Sequence, residues 1–278
     1  MFYLLEKSTP RRRIYMKKLL VLFAGLTCHS LYASPVLSPN AASIHTDGVF
    51  FCDDCSCWSL RAGFRGDYVF DRKLSTNQSS QLTMECHSIF ANEAVLTFNL
   101  WDRLDIYGLV GAATQSLFAS HSFNNPSVGD VRLYGSSSSK TIWGVGARTT
   151  ILEHNFNCYG TSYLGADINY ENIGSSYANT AIFNGAPSPL PTGPMVTYEE
   201  LQVSVQVGHR ISILTPYIGA KWSNARAVCQ EIYGAANHKN HWGYAVGVLL
   251  IDAGRMSVTA EARFIDEKAM TIMGEFRF

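Results

Sequence analysis

Helical periodicity is almost missing from this 278-residue chain, which excludes helix bundles and most α/β architectures at the outset. Beyond residue 33 no run of eighteen apolar residues occurs, so no transmembrane helix is expected in the exported part. Clustered Lys and Arg are lacking, which argues against a polyanion-binding surface and against nucleic acid as a partner. A Gly-rich phosphate loop, a nucleophile elbow and a His-Glu-x-x-His pair are all absent. The adjacent acids Asp53-Asp54 and Glu199-Glu200 would point to opposite sides of any strand, so neither pair can act together on one substrate. The eight histidines are scattered, with His238 and His241 the close pair. These absences predict a protein that is not an enzyme, with no cofactor and no resident metal.

What is present begins with an export signal. Met16-Lys17-Lys18 is followed by an apolar run from Leu19 to Leu26 and by Leu31-Tyr32-Ala33 before Ser34-Pro35. That is a basic n-region, an apolar stretch too short to span a bilayer, and a small-residue cleavage point after Ala33. Residues 1–15 carry Arg11-Arg12-Arg13 and lie upstream of the expected start, and Cys28 lacks a lipobox before it. Formal neutrality hides the character of what remains: without residues 1–33 there are 16 basic and 21 acidic residues, a charge of −5. Six cysteines also remain, namely Cys52, Cys55, Cys57, Cys86, Cys158 and Cys229. An exported chain meets oxidising conditions, so disulfides are permitted.

From Trp58 onward, apolar and polar residues alternate in segments bounded by turn signals. The pattern predicts strands over 58–70, 93–100, 104–112, 141–152, 158–170, 200–210, 216–223, 242–251, 256–264 and 270–278. The alternation is cleanest where Leu201, Val203, Val205 and Val207 oppose Glu200, Gln202, Ser204 and Gln206. Most segments are close to the length a tilted strand needs to cross a bilayer. Trp58, Phe70, Trp101, Trp222, Trp242 and Phe278 sit at segment ends, where interfacial aromatic girdles would lie. Long connections at 73–88, 121–140, 171–197 and 226–240 alternate with tight ones such as Asp252-Ala253-Gly254, the asymmetry of an outer-membrane barrel. Gly185–Pro191, with three prolines, is expected to stay out of any ladder. One further hairpin is allowed within 113–140. The reading is therefore all-β: a transmembrane antiparallel up-and-down β-barrel of about 10–12 strands, of outer-membrane porin type. It has a leader over 1–33, a Cys-containing segment over 34–57 and the barrel over 58–278. The chain ends on Phe276-Arg277-Phe278, and a terminal Phe closing an alternating strand is what the barrel-assembly machinery takes as its insertion signal, carried here by Phe276 and Phe278.

Four blocks make the chain resemble the major outer membrane protein family of chlamydiae. They are 58–72 (WSLRAGFRGDYVFDR), 99–107 (NLWDRLDIY), 214–223 (LTPYIGAKWS) and 243–278, which includes Ile265-Asp266-Glu267. They cover six of the ten predicted strands in order, and the Cys52/Cys55/Cys57 cluster matches the family's style. The resemblance implies a porin of the cell outer membrane that also supports the envelope through cysteine cross-links. The chain is shorter than is usual for that family, mainly where large surface loops would lie, as in a minor paralogue.

A porin has no catalytic site; its chemistry is a lumen lined by charges. The alternation assigns Arg61, Arg65, Asp67, Glu200, Gln202, Gln206, Arg210, Glu261, Arg263, Glu275 and Arg277 to that lining, because an Arg or Lys facing lipid at mid-bilayer costs about 2–4 kcal/mol. Segment 171–197 is a candidate for an inward-folded constricting loop. Three readings stay open for Cys52-x-x-Cys55-x-Cys57: an intermolecular cross-link, an intrachain staple between Cys52 and Cys57, and a zinc site completed by His45 or Cys86. The family resemblance favours cross-linking, and Cys86, Cys158 and Cys229 are available to it as well. Expected partners are outer-membrane lipid, the barrel-assembly machinery, further copies of the chain (a homo-oligomer, a trimer included) and other cysteine-rich envelope proteins.

Overall fold

A computed structural model describes residues 58–72, 74–76, 82–101, 103–122, 130–136, 138–156, 159–177, 180–183, 186–189, 195–229, 234–252 and 256–278. Fifteen strands run in order along these residues. They are β1 (Trp58–Arg72), β2 (Leu74–Thr76), β3 (Leu82–Leu100), β4 (Leu104–Ser122), β5 (Asp130–Ser136), β6 (Lys140–Asn155), β7 (Thr161–Tyr177) and β8 (Thr180–Phe183). Then follow β9 (Ala186–Pro189), β10 (Met195–Arg210), β11 (Leu214–Cys229), β12 (Gly234–His238), β13 (Trp242–Asp252), β14 (Met256–Phe264) and β15 (Glu267–Arg277).

Ten of the fifteen close on themselves. Each pairs antiparallel with its neighbour in the ring β1–β3–β4–β6–β7–β10–β11–β13–β14–β15, and β15 returns to β1 with Arg61 opposite Arg277 and Asp67 opposite Thr271. A closed ring leaves no row of unpaired amides, the one condition under which strands can sit in hydrocarbon. The last residue joins the closure, as the Phe278 amide donates to the Leu60 carbonyl (3.1 Å). Short turns close one end: Trp101 and Arg103 lie between β3 and β4, and Ser212 between β10 and β11, with positive φ at Trp101 and Ser212.

The strands run further than the periodicity predicts at the opposite end. β3 begins at Leu82, β4 continues to Ser122, β7 to Tyr177 and β11 to Cys229, so much of each predicted long connection is sheet. The hairpin allowed within 113–140 adds no strands to the ring among the described residues. Instead β5 pairs with the end of β4 beyond the point where β6 leaves it, and β8 and β9 follow in a side branch. Segment 171–197 is accordingly part of β7, β8, β9 and β10 where it is described, and not an inward-folded loop. The proline-rich stretch does join a ladder: Pro187 and Pro189 of β9 lie opposite Ile182 and Thr180. β9 is the edge of its branch, so a proline without an N–H sacrifices no second partner there. A second crossing links β11 to β12, β12 to β2 and β2 to β3, passing over the ends of β13, β14, β15 and β1.

Exposure follows the alternation, inside out relative to a water-soluble protein. Phe64, Leu96, Phe98, Ile106, Val110, Trp143, Val145, Ile168, Leu201, Val203, Val205, Val207, Ile218, Tyr244 and Val246 are exposed and form an apolar outer belt. Trp58, Trp101, Phe70 and Trp242 are exposed near its margins. Between the outward side chains, the inward ones are buried and mostly polar. At Gly146 and Gly247 the wall is thinned so that the Tyr107 and Tyr217 rings can lie flat against it; a Cβ at either glycine would strike the phenol.

Candidate functional site in the barrel interior

The interior holds a dense charged layer. Among the described residues seven cations (Arg61, Arg65, Arg72, Arg148, Lys221, Arg263, Arg277) and ten acids (Asp67, Glu93, Asp105, Asp167, Glu171, Glu200, Glu261, Asp266, Glu267, Glu275) are buried. Burying an isolated charge is costly, so the groups are held in pairs and hydrogen bonds. Three sub-clusters are distinguished by their anchors. In one, Asp105 of β4 is paired with Arg61 of β1 and with Arg148 of β6 (2.9 Å), and Asn99 donates to it (2.9 Å). In the next, Arg65 of β1 holds Glu93 beside it on β3 and Glu171 on β7 (2.7 Å). In the third, Glu267 of β15 is shared by Arg72, Lys221 and Arg263 (3.0 Å to Arg263), while Lys221 also meets Asp266 (2.9 Å) and Arg72 meets Glu200 (2.6 Å). Asp67 joins this set through Arg263 (2.7 Å) and accepts from Thr271.

Several of these contacts cross the lumen. In the ring, β10 is five positions from β1 and therefore directly opposite, so Arg72–Glu200 spans the full width. Arg65–Glu171 joins strands four positions apart, as does Arg148–Glu275 (3.8 Å). Tyr107 on β4 donates to Asp167 on β7 (2.9 Å), and Tyr217 on β11 donates to Glu261 on β14 (2.8 Å). A barrel of about eight strands is filled by its own side chains, and with ten, arginine is long enough to bridge it.

On β3, β4, β6, β7, β10 and β11 the pattern inverts toward the extended strand ends, while on β1 and β15 the charged Arg72 and Glu267 return beyond the apolar Val69 and Ala269. Inward positions become apolar: Val69, Ile89, Ala91, Ala113, Ile142, Ile173, Val196, Tyr198, Ala225, Ala227 and Ala269 form one cluster, joined by Leu74 of β2. Outward positions at the same level become polar. They include Asn92, Thr141, Asn172, Glu199, Asn224 and Arg226. Glu199 faces Arg226 at 3.6 Å and accepts from the Tyr170 hydroxyl (3.3 Å). The change falls between Glu171 and Asn172 on β7, at Glu199–Glu200 on β10, and between Ser223 and Asn224 on β11. Below it the barrel is built for lipid outside; above it, for water outside.

Of the residues singled out from sequence, Arg61, Arg65, Asp67, Glu200, Gln202, Gln206, Glu261, Arg263, Glu275 and Arg277 lie buried in the interior. Arg210 does not join them: it is half-buried at the short-turn end of β10, where its Nε donates to the Ser212 carbonyl (3.4 Å). The reason is position, since the inward phase at the last residue of a strand points to the rim. Arg72, Glu93, Asp105, Arg148, Asp167, Glu171, Lys221, Asp266 and Glu267 were missed as site residues. Glu93 and Lys221 carried a usable signal, Glu93 as the polar member of a clean alternation and Lys221 between Ala220 and Trp222; Arg72 did not, since a bulge shifts register after Val69. Met273, which breaks the alternation in sequence, keeps it in space by packing inward with Val95, Tyr107 and Leu109. Cys52, Cys55, Cys57, Cys158 and His45 lie outside the described residues, as does the leader. Of Cys86 and Cys229 the backbone alone is described, on β3 and β11. A serine–histidine pair occurs at the short-turn rim, Ser162 Oγ lying 2.8 Å from His209 Nδ1. The other ring nitrogen of His209 meets the Tyr159 carbonyl (2.8 Å), so this histidine fastens the β6–β7 turn to β10.

Comparison with known proteins agrees with this architecture. The family model described as Chlamydia major outer membrane protein matches residues 13–88 and 231–278. The major outer membrane porin of Chlamydia psittaci is 30% identical over 399 aligned residues, covering 95% of this chain and 100% of that protein. The chain belongs to the chlamydial major outer membrane porin family. Other members match similarly: the porins of Chlamydia abortus and of Chlamydia trachomatis serovar F are each 28% identical over 95% of this chain and 100% of their own length. The protein is thus an outer-membrane β-barrel, and its 278 residues align with those porins over about 400 positions, gaps included. Solved structures similar to it include the β-domain of the Bordetella autotransporter BrkA (7% identity, TM-score 0.41, covering 80% of this chain and 99% of that one). The outer membrane protease OmpT of Escherichia coli is similar at 10% identity, TM-score 0.39, covering 79% and 94%.

Proposed function

We propose that this barrel is a narrow porin through which ions and small hydrophilic solutes diffuse passively. The observation that carries the reading is the charged interior: seventeen ionisable side chains of both signs face inward among the described residues, in a chain whose family relatives are named porins. Purely structural barrels need no such lining, because apolar residues of similar volume would fill the space as stably as buried ion pairs. The excess of carboxylates favours cations along any path past them. The test is planar-bilayer recording of the full chain, exported with its own leader and purified from the outer membrane of a porin-deficient host with reductant present. Discrete current steps that reverse toward the cation equilibrium potential in a salt gradient are expected; a folded barrel that never conducts sinks the reading.

A second role rests on the cysteines. Cys52, Cys55 and Cys57 precede β1 in the sequence, and exported thiols are suited to cross-link neighbouring copies and other cysteine-rich envelope proteins. Envelopes solubilised without reductant are expected to hold the chain in high-mass species that collapse to monomer on reduction. Monomer under both conditions refutes cross-linking and leaves the porin reading untouched.

A further inference from the structure

Two features of the interior meet at one level. The first is the pair of ionic ties across the lumen, Arg65 to Glu171 (2.7 Å) and Arg72 to Glu200 (2.6 Å). The second is the inversion that follows at once on the same strands: Ile173 is the next inward residue after Glu171, and Tyr198 the one before Glu200. The apolar layer continues around β6 through Ile142 and takes in Leu74 of β2, in the β11–β12–β2–β3 ladder.

We propose that these interleaved ionic ties and apolar side chains form a septum that is the constriction of the pore, and that the septum must part for anything to cross. The inference deepens the porin reading and rests on it. Each layer blocks for its own reason. An ion entering the charged layer has to displace a partner from a buried pair, which leaves a charge uncompensated in a low-dielectric setting. Water entering the apolar layer gives up hydrogen bonds without replacement, so a narrow apolar ring stays dry and stops ions by dewetting. The extended ends of β3, β4, β6, β7, β10 and β11, apolar inside, are in this view the dry part of the septum, and the charged residues below them are the filter.

Two variants separate the layers. The double substitution R72A/E200A removes one cation and one acid together and leaves Glu267 with Lys221 and Arg263; I142S/I173S wets the apolar layer. Folding of each is checked by heat-modifiable migration on gels, and unitary conductance is read in planar bilayers beside the unaltered chain. We expect small, infrequent steps from the unaltered chain and steps roughly twofold larger or more from both variants, as a wider constriction requires. Folded variants with the unitary conductance of a conducting parent overturn the septum and spare the porin reading. A silent parent with a conducting variant upholds the septum and removes passive diffusion from the unaltered chain. Silence from the parent and both folded variants overturns the two together.

Discussion

Single side chains in this barrel are governed by which of two solvents their face meets. Arg65 illustrates the inner face: completely buried, it satisfies two acids at once, Glu93 beside it and Glu171 across the lumen. Truncation to Ala leaves both carboxylates without that partner, and R65A is expected to lower unfolding free energy by about 3–5 kcal/mol in urea titrations of the barrel in lipid vesicles. Replacing Arg65, Glu93 and Glu171 together by Met, Gln and Leu is expected to recover most of that loss, since no charge is then stranded; a triple variant as weak as R65A contradicts the account. Val205 illustrates the outer face: exposed in the midst of the belt, it would contact lipid. V205R is expected to cost about 2–4 kcal/mol in the same titration. These faces were legible in sequence, because a period of two assigns every residue of a strand to one side. Which inward charges touch was not, since Arg72 and Glu200 are 128 residues apart and meet through ring closure alone.

At the scale of elements, the tight ends and the extended ends obey different constraints. The β14–β15 connection is the tightest on the extended side, and Ile265 takes a left-handed backbone there (φ 83°). A β-branched residue in that region is strained by about 1–3 kcal/mol. I265N, which tolerates the conformation, is expected to raise the unfolding midpoint; a lowered midpoint shows that Ile265 contributes more by packing than its backbone costs. Strand identity was recovered from alternation, but strand length was not. On β7, β10 and β11 the apolar phase changes sides where the chain leaves the belt, so a search for one continuous amphipathic face stops at the change and assigns the remainder to loops. The proline stretch was misread for a related reason: the rule that proline is excluded from ladders holds for strands paired on both sides, and β9 is paired on one.

For the whole molecule, closure is the organising fact. The ring is complete from β1 to β15. A chain lacking 34–57 is expected to assemble and to migrate as a heat-modifiable barrel while losing cross-linking; failure to fold places part of the stabilising structure in that segment. The sequence by itself determined the all-β class, the sidedness of each strand and the family, because these depend on local pattern and on short contiguous blocks. Only the tertiary structure decided that ten strands close the ring, that arginines bridge opposite walls, and that an apolar cluster meets those bridges at one level. Those outcomes depend on circumference and register: the number of strands sets how far a side chain must reach, and the stagger of the ladders sets which residues share a level. Neither quantity is written in any one strand.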